Sequence, residues 1–122
     1  MSLHLELARQ LEAAFADRLD GPVDTRLDAL IARLDNGVTL EARIAAPDAY
    51  AYTWIWGEAQ LRIDTAPVHP QLTTRPNHLH AADGSLQADP LTRSGAEPWS
   101  NLHAVVTALL DDPLLAGATP AA

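Results

Sequence analysis

The sequence predicts an α+β fold of two layers, in which a four-stranded antiparallel meander carries an N-terminal and a C-terminal helix packed on one face. Three observations predict it. Apolar residues recur every fourth position at the start of the chain, strand-like alternation with turn residues follows as far as residue 64, and helical spacing returns near residue 98. At 122 residues the chain has the size of a single domain, 1–122, and its 48% hydrophobic and 20% charged composition belongs to a folding chain rather than a disordered one.

The first helix is predicted over residues 2–19. Leu3, Leu7, Leu11, Phe15 and Leu19 form a stripe, and Glu6, Arg9, Glu12 and Asp17 lie off it. Ser2 is placed to cap the helix, and Asp20-Gly21-Pro22 ends it. Between Thr25 and Leu34 both periods fit, since Leu27, Leu30, Ile31 and Leu34 have helical spacing while Leu30, Ala32 and Leu34 alternate. The turn signal Asp35-Asn36-Gly37, followed by strict alternation of Val38, Leu40, Ala42 and Ile44 with polar residues, decides for a β-hairpin over 27–34 and 38–45.

After the break at Ala46-Pro47-Asp48, Tyr50, Tyr52, Trp54 and Trp56 share one face of a third strand. An aromatic strand face of this kind is more often core than a base-stacking platform, so Trp54 and Trp56 are expected to be buried against a helix. A fourth strand, Gln60 to Asp64, sets Leu61 and Ile63 on one face and Arg62 and Asp64 on the other. From Thr65 to Pro98 the prolines at 67, 70, 76, 90 and 98 predict one long loop. The last helix is predicted over 98–112, burying Trp99, Leu102, Val106 and Leu109 or Leu110, with Asp111-Asp112 marking its end, and the Ala-rich tail from about residue 116 is expected to be disordered.

Composition excludes several chemistries. The absence of cysteine removes a disulfide framework, a thiolate nucleophile and any cysteine-held zinc or iron–sulfur centre. All eight basic residues are Arg, so a P-loop lysine and a Schiff-base lysine are excluded too. A net charge of −8 disfavours general nucleic-acid binding through a basic surface. No basic leader precedes an apolar core, and no run approaches the roughly 20 apolar residues of a membrane span, so the expectation is a cytoplasmic protein without membrane contact.

Candidate chemistry concentrates in Leu61-Arg62-Ile63-Asp64-Thr65-Ala66-Pro67-Val68-His69-Pro70 and Thr73-Thr74-Arg75-Pro76-Asn77-His78-Leu79-His80. Three of the five histidines fall here, between positions 69 and 80, and prolines stiffen the backbone between them. These two segments, preceded by the aromatic strand Tyr50 to Trp56, resemble the TumE-type family, toxins of toxin–antitoxin pairs. Arg62, Asp64, Ala66, Pro67, His69 and Pro70 match the family's first motif, and Thr73, Pro76, His78 and His80 match its second. The resemblance spans about residues 38–82. Thr65 stands where the family tends to have Asn, and Val68 and Asn77 where it has further histidines. The resemblance implies a toxin component, an RNase-type activity and a cognate antitoxin as partner.

Two active readings fit the residues Arg62, Asp64, His69, Arg75, His78 and His80. In the first, Asp64, His69, His78 and His80 hold a divalent metal of the Zn, Mn or Fe class, because imidazole and carboxylate suit those ions. In the second, imidazoles act as base and acid in RNA cleavage without metal, Arg62 or Arg75 holds the phosphate, and Asp64 orients one imidazole or pairs with Arg62. Against both stands a structural reading, in which Arg62 and Asp64 are an ordinary ion pair and the histidines donate to backbone; the protein is then a non-enzymatic interaction module with a protein partner. His4 and His103, in the two helices, are expected to be partly exposed or satisfied. Both active readings require the polar atoms to converge on one concavity.

Overall fold

The computed structural model describes residues 2–65 and 77–115. The first helix, α1, runs Leu3–Ala14, and the side chain of Ser2 caps it by accepting a 3.1 Å hydrogen bond from the Leu5 amide. A 3-10 turn at Ala16–Arg18 then finishes the segment predicted as one helix over 2–19. Leu7 and Leu11 are fully buried, while Leu3, the first residue of the helix, is exposed.

The sheet has seven strands among the described residues, where four were expected, and all are antiparallel in sequential order: β1 Asp24–Thr25, β2 Leu30–Arg33, β3 Thr39–Ala46, β4 Ala49–Trp56, β5 Ala59–Asp64, β6 His78–His80 and β7 Leu86–Ala88. The meander itself is as predicted, and the β2–β3 hairpin closes over the Asp35-Asn36-Gly37 turn, where Gly37 adopts φ +93. The added strands are short. Within the stretch expected to be a loop over 65–98, β6 and β7 form a hairpin closed by the Ala81 amide on the Ser85 carbonyl at 2.9 Å. Proline signalled a break there, but Pro90 follows β7 and Pro98 opens the last helix, so these prolines sit at element boundaries and interrupt nothing.

That last helix, α2, spans Pro98–Asp111, with Asp112 as its C-cap. It buries Leu102, Val105, Val106 and Leu109, with Trp99 and Leu110 partly buried. Both helices pack on one face of the sheet: their buried residues form a single cluster with Leu30, Leu40, Ala42, Tyr52, Trp54, Leu61, Ile63 and Leu79, the inward positions of five strands, β2 to β6.

Trp54 is fully buried and its indole donates to the Pro113 carbonyl at 2.8 Å, as expected of a core residue. Trp56 departs from the expectation and is 39% exposed. It ends β4 opposite Ala59, and its indole donates to the Asn36 carbonyl in the β2–β3 turn. His4 is buried and satisfied, its Nε2 accepting from the Ile44 amide at 3.1 Å, and His103 is exposed beside the rings of Phe15 and Trp99. No helix among the described residues is long and apolar enough to cross a membrane. The tail predicted to be disordered from 116 lies outside the described residues.

Candidate functional site

Strand pairing builds the site. Alternation turns Arg62 and Asp64 of β5 away from the helices, and the β5–β6 register sets Arg62 opposite His80 and Asp64 opposite His78. Two rows of side chains therefore cross the outer face side by side: Arg43, Ala51, Asp64, His78, and next to it Glu41, Thr53, Arg62, His80. His78 and His80 stand two positions apart on strand β6 and therefore point to one side.

Asp64 is the hub. Its Oδ1 accepts from His78 Nε2 at 2.7 Å, its Oδ2 accepts from Arg62 Nε at 2.6 Å, and His80 Nε2 lies 3.8 Å from the same Oδ2. The two imidazole rings meet edge to face with centroids 4.8 Å apart. Burial grades across the group: His78 and Asp64 are buried, whereas the side chains of Arg62 and His80 are 49% and 46% exposed. A buried carboxylate is stable only when compensated, and here a guanidinium and a ring N–H provide that. The ligand atoms of Asp64, His78 and His80 all lie within 4.8 Å of one another, a separation one metal ion can bridge.

A groove of about 710 Å³ opens from this cluster toward β3. Its floor is low because Ala49 and Ala51 of β4 lie between Arg43 on one side and Arg62 with Asp64 on the other. Arg43 is itself paired, at 2.8 Å to both Asp28 and Glu41.

Four of the six predicted site residues, Arg62, Asp64, His78 and His80, thus come together on one face. His69 and Arg75 lie outside the described residues. Two of the departures from the family pattern find a structural place. Thr65 closes the end of β5 on β4, its Oγ1 accepting from the Tyr50 amide at 3.0 Å and its amide donating to the Tyr50 carbonyl at 3.2 Å. Asn77, the neighbour of His78, is buried and donates from its side-chain amide to Tyr50 Oη at 2.9 Å and Asp89 Oδ2 at 3.2 Å. Neither partner belongs to the Asp64 cluster, so asparagine there removes no group from it. Val68 lies outside the described residues.

The sequence reading missed this second polar group. Thr92 Oγ1 bonds Tyr50 Oη at 2.8 Å and also donates to Asp89 Oδ2, while Asp89 Oδ1 accepts from the Leu91 amide at 2.8 Å and the Thr92 amide at 2.9 Å. Burial is the main cause that holds the Tyr50 phenol above its ordinary pKa, and the same cause pushes Tyr52 further up. The available signal was Asp89-Pro90-Leu91-Thr92, a pattern in which Asp caps its own turn.

Comparison with protein families finds a match to one described as Toxin TumE over residues 6–112, most of the chain. No curated protein and no solved structure matches.

Proposed function

Because the chain belongs to the Toxin TumE family, we propose that it is the toxin of a toxin–antitoxin pair, restrained by a cognate antitoxin, and that it cleaves RNA at the Asp64 cluster. The observation that carries the reading is a half-exposed cation beside a half-exposed imidazole, Arg62 opposite His80, both resting on the buried Asp64–His78 pair.

In this reading Arg62 holds the scissile phosphate and stabilises charge on its non-bridging oxygens. His80 takes the proton of the 2′-hydroxyl, the 2′-oxygen bonds to phosphorus, and the bond to the 5′-oxygen breaks, leaving a 2′,3′-cyclic phosphate. The departing 5′-oxygen needs a proton, and His69, on the sequence pattern, is the candidate to give it. Asp64, whose Oδ2 lies 3.8 Å from His80 Nε2, stabilises the imidazolium that His80 becomes. His78 holds the other carboxylate oxygen and so fixes its direction.

The test is RNA cleavage by purified protein with the products' ends identified. Cyclic-phosphate ends are expected, with the rate falling by about 10²-fold or more in His80→Ala. Intact RNA after treatment with folded wild-type protein would overturn the reading and turn attention to an interaction module. Full activity of the variant would remove His80 from the mechanism.

A second reading has its own observation, the mutual approach of the Asp64, His78 and His80 ligand atoms. A Zn, Mn or Fe ion there would polarise the phosphate and supply hydroxide. The 2.6 Å Arg62–Asp64 contact weighs against it, since a dication would share its carboxylate with a guanidinium. Metal content of the protein as isolated, and cleavage in excess chelator, separate the two: activity retained without metal supports the first.

A further inference from the structure

We propose that Tyr50, with Thr92 and Asp89, is a clasp that sets the Asp64–His78 pair, making these three the positioning residues of the site. The inference rests on the reading of Asp64 and His78 as site residues, but not on which of the two chemistries they serve.

Asp64 and His78 face each other across β5 and β6, and the chain between these strands joins Thr65 to Asn77. Tyr50 grips both of those flanking residues. Its backbone holds Thr65, through the Tyr50 amide on Thr65 Oγ1 and the Thr65 amide on the Tyr50 carbonyl. Its phenol oxygen accepts from the Asn77 side chain. One residue of β4 therefore fixes the position following Asp64 and the position preceding His78, and with them the separation of the two side chains that meet at 2.7 Å.

The side-chain half of the clasp has a direction. Asp89, a carboxylate, can only accept, so Thr92 Oγ1 donates to it; Tyr50 Oη then donates to Thr92, and Asn77 donates to Tyr50. The result is a chain of hydrogen bonds running from Asn77 to a buried anion, which polarise one another. Asp89 is held in turn by the amides of Leu91 and Thr92 and by the Asn77 side chain, so the anion is itself fixed. All four residues are buried, Tyr50 at 6% exposure among them, and Tyr50 also borders one end of the groove. The hydrogen bonds described for Tyr50, Thr92 and Asp89 run to one another, to Asn77, to Leu91 and to Thr65, so their effect on the chemistry is one of position.

Tyr50→Phe removes the phenol oxygen and leaves the ring; Thr92→Val breaks the next link, and Thr92→Ser restores it. Two measurements are made on folded protein: the exchange rate of the His78 Nε2 proton, observed by NMR, and the rate of RNA cleavage. In Tyr50→Phe and Thr92→Val the His78 proton should exchange at least about 10-fold faster, and kcat should fall by a similar factor with KM within about twofold, because a misplaced group costs the reaction step more than binding. Thr92→Ser should return both to near wild type. If Tyr50→Phe and Thr92→Val lower the melting temperature while the His78 proton exchanges as in wild type, the network is only core and the clasp is wrong. Should the wild-type protein leave RNA intact, the NMR arm still decides the clasp, so that result counts against the cleavage reading alone.

Discussion

At the scale of single residues, burial separates groups that look alike in sequence. His78 and His80 are both candidate site histidines two positions apart, yet one is buried and the other is half exposed. Replacing His80 by Ala should leave stability within about 0.5 kcal/mol of wild type, as for most surface changes. His78→Ala should cost roughly 1–3 kcal/mol, because Asp64 loses a charge-assisted bond inside the protein. Chemical denaturation of the two single variants checks this, and equal losses would contradict the burial gradient. A double Ala variant therefore confounds function with folding and is the weaker experiment.

His4 makes the other prediction at this scale. Its Nε2 accepts the Ile44 amide, so the fold needs it neutral, and burial, opposed by Asp28 and aided by Arg43, lowers its pKa below the ordinary 6.5. The unfolded chain then takes up the proton first. Its contribution to stability is thus present in full above pH 6.5 and is lost as pH falls from there toward the lowered value, by at most about 1.4 kcal/mol per pH unit. His4→Gln should flatten the stability profile just below pH 6.5. A profile of unchanged slope in that window would show that another group titrates there.

At the scale of elements, β4 is the strand on which most depends. Its inward residues Tyr50, Tyr52 and Trp54 are buried, and its outward alanines leave room for the groove. Trp54→Ala should cost roughly 3–5 kcal/mol, the range for large core aromatics, since it also strips the Pro113 carbonyl of a donor. Trp56→Ala should cost about 1 kcal/mol or less, because it removes a part-exposed ring at the strand end. Urea unfolding of both variants measures the difference. Comparable losses would mean that Trp56 packs more than its exposure indicates.

At the scale of the whole molecule, charge governs how a nucleic acid is met. The net charge is −8, and Arg18, Arg33, Arg43 and Arg62 each pair with a carboxylate within 3 Å. Only half of the eight arginines stand outside these pairs, against sixteen acidic side chains, so few counterions are released from a phosphate backbone. On the RNA-cleavage reading, RNA binding should accordingly weaken only shallowly with salt, with a log–log slope no steeper than about −2, corresponding to a couple of phosphate contacts. Fluorescence titration at several salt concentrations tests this, and a slope near −6 would require a basic surface that the described residues do not offer. The same acidity suits an antitoxin whose contact surface is basic.

Much of this was legible along the chain because it depends on local period and local turn chemistry. Alternation at Val38 to Ile44 and Tyr50 to Trp56, the Asn36-Gly37 turn, the Ser2 cap and the side of β5 on which Arg62 and Asp64 stand all follow from neighbours within a few residues. The motif residues were legible for the same reason. What only the tertiary structure decided was which distant residues meet. The pairing of Asp64 with His78, the strand character of three-residue β6 and β7, and the burial of Asn77 against Tyr50 and Asp89 come from the register of strands far apart in sequence. Short strands carry too little period to be read on their own, and they become strands because the sheet edge beside them supplies the hydrogen bonds their backbone needs.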